Sequence, residues 1–158
     1  MSQAPVAGST VKALSSLLLP LSDRTLLLPS VALAELINLR PVETQAGSPE
    51  WYLGDISWRD LRLPLLSFET LSSGIAAPEP AGGARIAVIN AIGGRTHLKF
   101  FALLVQGIPR PYKLDASLAP AGAPLAALEL DSALVEGMVA RIPDLIAVEQ
   151  RMADIGLI

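Results

Sequence analysis

One histidine and no cysteine bound the chemistry open to this chain. Without a thiol, disulfides, thiolate zinc sites and cysteine catalysis are excluded. His97 lies between Arg95 and Lys99, and a catalytic or ligand role would need Asp, Glu, Ser or further His brought to it by the fold. Otherwise it is an exposed imidazole on a strand. Glu129 with Asp131, and Glu50 with Asp55, have the residue types for general acid and base work. Such pairs are equally common on solvated strands. No EF-hand loop or His-Glu-x-x-His pattern is present, so no metal is expected. Gly82-Gly83 and Gly93-Gly94 are glycine pairs outside any GxGxxG or GxxxxGK frame, and no Ser lies in GxSxG, so no cofactor is expected either. Aromatic residues make up only 4%, which leaves no stacking platform for single-stranded nucleic acid.

The remaining candidate is a contact residue, Arg59, with Trp58 beside it. Both sit in the stretch Leu53 to Phe68, LGDISWRDLRLPLLSF. Ile56 and Trp58 alternate with Asp55 and Ser57, and after Arg59-Asp60 come Leu61, Leu63 and Leu65 at every second position. That period of two predicts a hairpin with one buried and one wet face. A long cation beside a large amphipathic ring at an exposed tip suits contact with another protein. The plainer reading is a solvated turn whose Arg keeps the hairpin soluble.

The other segments divide into short runs between Pro and Gly punctuation. Leu17–Leu21 and Thr25–Leu28 flank Ser22-Asp23-Arg24 as a tight hairpin, with an edge expected where Pro20 lacks a donor. Ser30 followed by VALAELINL reads as one or two helical turns leading into a strand, although length does not arbitrate. Gly54 marks a bulge or the close approach of another backbone. Ile75 to Ala84, IAAPEPAGGA, reads as a linker. Arg85–Ile92 and Arg95–Val105 read as strands turned by Gly93-Gly94, with Arg95, His97 and Lys99 on the rim face. Gln106 to Pro124 is a Pro-rich loop. Leu125–Leu130, Leu134–Arg141 and Leu145–Glu149 read as three further strands, leaving at most one turn of helix in RMADIGLI. Many short strands with regular turns predict an all-β sandwich or barrel, here as two small lobes.

At 158 residues, 51% hydrophobic and 17% charged, the chain is long enough for one good core or two lobes sharing one. A net charge of −3 without basic clusters argues against nucleic acid. No window reaches the ~20 apolar residues of a membrane span or the ~7–15 of a secretory core after a basic start. A cytoplasmic setting is expected, with residues 1–12 as a mobile arm and 13–158 as a single domain.

The order of these segments resembles the CheW-like domain of bacterial chemosensory coupling proteins, from about Leu17 to Glu149. LLLPLSDRTLLLP with VALAELI is similar to the family's leading hairpin and the segment after it. PEWYLGDISWRDLRLPLLSF carries the family's Gly…Arg…Pro spacing as Gly54, Arg59 and Pro64. RIAVINAIGG, LKFFALLVQGI and ALVEGMVARIPDLIAVE are similar to its later strands. Asp60 stands where the family has Gly, Gln106 and Glu149 where it commonly has Asp, and its C-terminal helix is expected to be truncated or missing. The divergence is similar to that of the ChpC type from pilus-associated systems. The resemblance implies a mainly β fold: two five-stranded SH3-like β-barrel lobes on a shared core, with few short helices. It implies a non-catalytic adaptor between a CheA-type histidine kinase regulatory domain and a chemoreceptor's cytoplasmic tip, serving chemotaxis or twitching motility. Leu33 and Glu35 would lie in the kinase-contact segment, Gly54 on the barrel end that docks the kinase, and Arg59 in or near the receptor-facing groove. With the adjoining Trp58 and Asp60, these are the candidate partner-binding residues. The alternative is a β-barrel enzyme or small-ligand binder, which requires a deep pocket with convergent polar groups around His97.

Overall fold

The computed structural model describes residues 14–76, 79–80, 82–114 and 119–157; the expected arm at 1–12 lies outside them, as do parts of the linker-like stretch. Strands β1 (Leu14–Pro20) and β2 (Thr25–Pro29) form the first hairpin, closed by the Leu21 amide donating to Arg24 O at 2.8 Å. A neighbouring strand covers β1 only as far as Leu18, so Pro20 sits where its missing N–H breaks no ladder. The ambiguous VALAELI resolves into a short 3-10 turn, Ser30–Ala32, and then strand β3 (Leu33–Asn38). Pro29 precedes that turn, and pairing with a later strand sets β3.

The central hairpin is β4 (Tyr52–Trp58) and β5 (Leu61–Leu66). Its turn residues Arg59 and Asp60 both have positive φ, 47° and 63°. A two-residue hairpin needs that conformation to match strand twist, and glycine usually supplies it. Here the side chains of Trp58 and Arg59, described below, hold the tip. In such a hairpin the closing pair, Trp58 with Leu61, exchanges hydrogen bonds, and alternate pairs do not. Pro64 stands opposite Asp55 on one of those non-bonded positions, which is how a proline fits in the middle of the ladder.

Helix α1 (Phe68–Ser73) follows, with Ser67 Oγ accepting from Thr70 N at 3.2 Å and Gly74 closing it at φ 77°. Next come β6 (Arg85–Asn90), β7 (Phe100–Val105), β8 (Arg110–Leu114), β9 (Ala119–Pro120), β10 (Glu129–Val135), β11 (Met138–Pro143) and helix α2 (Leu145–Asp154).

Several expectations need correcting here. The turn between β6 and β7 is the whole loop 91–99, so Arg95, His97 and Lys99 lie on a loop and not on a strand face. A reverse turn, Leu98 N to Arg95 O, and burial of Leu98 interrupt the expected strand. Leu134–Arg141 is two strands around the positive-φ pair Glu136-Gly137. β8 lies inside the stretch read as a Pro-rich loop, and Leu125–Leu130 is mostly loop. Leu145–Glu149 is helical, so the C-terminal helix is present: Leu145, Val148 and Met152 are buried at helical spacing, and Asp144 Oδ1 caps Ala147 N at 3.0 Å.

The strands form a six-stranded sheet, β8-β1-β2-β11-β10-β9, and a five-stranded sheet, β3-β6-β7-β5-β4. Only the two-residue β9 takes the first beyond five. The five-stranded lobe is filled by Ile37, Ile56, Trp58, Leu65, Ile86 and Leu104. The six-stranded lobe has a smaller interior of Leu18, Leu27, Ala133, Val135 and Ala140. Between the two lies the largest core, where Leu26, Phe68, Phe101 and Leu103 meet Val148 and Met152 of α2. Glu129 ties β10 to the β1–β2 turn and to β11 within the six-stranded lobe, accepting from Arg24 at 2.8 Å and Arg141 at 2.9 Å with its side chain only 1% exposed. Arg24 also donates to Ser72 of α1 and lies over the Phe68 ring. Its contact with Asp23 holds that carboxyl below its ordinary range.

Candidate functional site

β3 and β4 are the two outer strands of the five-stranded sheet, and joining them closes the lobe. Main chain closes one part of this seam: Glu43 and Asp55 exchange both N–H···O bonds, at 2.8 and 2.9 Å. Arg40 adds a bond to Ser57 O at 2.8 Å. Side chains close the remainder. Glu35 Oε1 accepts from Trp58 Nε1 at 2.9 Å and pairs with Arg59 Nη2 at 3.1 Å. The Arg59 guanidinium lies 4.8 Å from the centre of the Trp58 ring. Phe100 meets the same indole edge-on at 4.9 Å. Trp58 is therefore a buried plug whose polar N–H finds its partner at the rim. Arg59 remains 68% exposed on the side chain, so a charged group on an apolar base faces solvent.

The fold thus brings three of the candidate residues, Glu35, Trp58 and Arg59, into one contact set. Asp60 adjoins it and shapes the turn. Gly54 is buried on the seam, with φ 132°. Both readings of it hold: β4 has an irregularity between Tyr52 and Gly54, and the Glu43 backbone crosses where a side chain would be. A Cβ there would lie 2.5 Å from Glu43 O and 2.6 Å from Val42 Cγ1. Leu33 is half-buried and packs into the inter-lobe core, away from this set, because β3 is irregular between Leu33 and Glu35.

Beside Gly54, the Tyr52 hydroxyl donates to Asp55 Oδ1 at 2.6 Å, and Arg62 pairs with Asp55 and Glu43 at 3.2 and 3.3 Å. Burial, then the Asp55 carboxylate, pushes the Tyr52 phenol up to about 12. The same carboxylates, Asp55 first, raise Arg62.

His97 is exposed on the rim of an open cleft of ≈ 240 Å³ whose other polar lining residues are Arg62, Thr96 and Lys99. These are cations and a hydroxyl, and among the described residues no carboxylate lines the cleft to pair with the imidazole. Among the described residues no group of three His, Asp or Glu side chains is placed to hold a metal ion. Nor is any helix there long and apolar enough to cross a membrane.

Residue spacing alone did not point to a second surface. Leu28, Pro29, Ile92, Leu130, Ile142 and Ile146 line a groove of ≈ 240 Å³ where β2, β11 and α2 meet the loop after β6. Ile92, Leu130 and Ile146 are each more than half exposed. The available signal was apolar residues out of phase: Leu130 between Glu129 and Asp131, and Ile146 off the Leu145/Val148/Met152 stripe.

Known proteins provide the frame for these surfaces. No curated protein matches the chain in sequence. Its backbone is similar to the crystal structure of the scaffolding protein TtCheW from Thermoanaerobacter tengcongensis, with TM-score 0.69 at 17% identity over 84% of this chain and 85% of that one. The family model described as the CheW-like domain matches residues 15–148, which include both lobes, the seam and the start of α2. This chain belongs to the CheW-like domain family.

Proposed function

We propose that this chain is a non-catalytic chemosensory adaptor. In this reading it works in the cytoplasm and joins the cytoplasmic tip of a chemoreceptor to the regulatory domain of a CheA-type histidine kinase, in chemotaxis or pilus-driven movement. The observation that carries the reading is the groove with Ile92, Leu130 and Ile146 exposed above buried Leu28: an exposed apolar surface of this kind marks a place where another protein docks. An apolar groove of this kind takes the apolar face of a helix, the form in which we propose the receptor tip docks.

The ion pair between Glu35 and Arg59 decides how the remaining residues are shared. At 3.1 Å the two are one surface feature, so Glu35 cannot serve the kinase while Arg59 separately serves the receptor. We assign both, with Trp58 and Asp60, to the kinase domain, and the groove to the receptor. Gly54 and Leu33 then act from within, by keeping the seam and β3 in place.

Titrating the purified chain with an isolated kinase regulatory domain and with a receptor-tip fragment tests this. Micromolar binding to each is expected, with Arg59→Ala weakening only the first and Leu130→Asp only the second. Absence of binding to both at tens of micromolar would refute the adaptor reading.

A further inference from the structure

Glu149 is fully buried, at 0% exposure, yet it is a carboxylate in the middle of an otherwise apolar helix face. Its oxygens face the loop after β6. Oε2 accepts from Ile92 N at 2.9 Å, and Gly93 N donates to Oε1 and Oε2 at 3.1 and 3.2 Å. A carboxylate accepting two backbone N–H groups makes charge-assisted bonds stronger than neutral ones. The fit leaves no room beside the carboxylate: a Cβ at Gly93 would meet Glu149 Oε1, so a side chain there would have to push the carboxylate aside. At Gly94 the demand is on the backbone instead, at φ 73°.

The residue held by this contact is Ile92, 57% exposed and one wall of the apolar groove. The opposite wall, Ile146, is on the same helix as Glu149, one turn earlier. One side chain therefore fixes the separation of the two walls. We infer that Glu149, with Gly93, is the positioning residue of the groove: it sets Ile92 against Ile146 and so controls affinity for the helical tip that docks there. This rests on the groove being the receptor's site, as proposed above.

The experiment measures binding of a receptor-tip fragment and, as internal control, of the kinase regulatory domain. Glu149→Gln is isosteric but turns an amide N–H toward donors that need an acceptor. It is expected to weaken the receptor fragment about tenfold, a loss of the size of one hydrogen bond to a charged group, and to leave kinase binding unchanged. Amide exchange at Ile92 and Gly93 should accelerate in parallel. Gly93→Ala should reproduce the loss from the other side of the contact. Adding Glu149→Asp to Gly93→Ala shortens the acid by one methylene and should restore part of it. Accelerated exchange with unchanged receptor affinity would overturn the inference, as would a double variant no better than Gly93→Ala alone. If Ile92→Asp does not weaken the receptor fragment, the groove reading itself fails and takes this inference with it. If Ile92→Asp abolishes binding while Glu149→Gln is silent, only the positioning role fails.

Discussion

Replacing Gly54 by Ala tests whether the seam between β3 and β4 is as tight as its geometry says. Two separate costs apply. The backbone sits at φ 132°, where an L side chain is strained by about 1–3 kcal/mol. The new methyl also meets Glu43 O at 2.5 Å and Val42 Cγ1 at 2.6 Å. Forcing a methyl into a packed contact adds about 1–3 kcal/mol, because neighbours must shift. The carbonyl cannot move freely, since it accepts from Asp55 N at 2.9 Å. A total near 4 kcal/mol would lower Tm by about 8–16 °C in a chain of this size. Gly47→Ala is the control: its φ is also positive, 80°, but nothing lies within 4 Å of the added Cβ. It should carry the strain alone, about 1–2 kcal/mol. Urea titrations of both variants, followed by circular dichroism, give the comparison. If the two cost the same to within about 0.5 kcal/mol, the collision is not real and the close approach of Glu43 is wrong.

Arg59→Ala should change stability by less than about 1 kcal/mol, because the ion pair is largely exposed, while kinase-domain affinity measured by calorimetry falls at least several-fold. Glu35→Ala should destabilise the fold more than Arg59→Ala does, by about 1–3 kcal/mol in a urea titration, because it strands the Trp58 N–H as well. Glu129→Ala leaves Arg24 and Arg141 without their shared acceptor, and a loss of about 3 kcal/mol is expected in the same assay. Tyr52 sets an alkaline limit. Its folded-state pKa is raised from 10.0 to about 12, so its contribution is complete below pH 10 and is lost as pH rises from 10 toward 12. Up to about 3 kcal/mol is involved, and Tyr52→Phe should flatten that part of the stability-versus-pH curve.

The first half of the chain was the more legible. Period-two alternation located β4 and β5, and apolar runs around the turn chemistry of Ser22-Asp23-Arg24 located β1 and β2, whose opposite faces both lie in cores; composition ruled out thiol chemistry and argued against nucleic acid. Failures came where tertiary contacts outweigh local pattern. Leu145–Glu149 is an apolar run short enough for a strand; only Asp144 as a cap and the continuation to Asp154 make it a helix. Gly93-Gly94 looked like a turn, but Gly93 answers to a residue 56 positions away. The site divides the same way. Arg59 and Trp58 are neighbours in sequence, so their proximity was visible. Glu35 joins them only because β3 returns along β4. The groove was hidden because its walls come from four separate stretches of sequence, of which only those holding Leu130 and Ile146 show an apolar residue out of phase.

The Trp58 indole lies between the Phe100 ring within the lobe and the Arg59 guanidinium at its mouth. Its emission depends on both neighbours, and a visitor that draws the guanidinium away alters the field on the excited ring. The molecule therefore carries its own optical gauge of occupancy at that corner, readable without any attached dye once Trp51 is replaced by Phe.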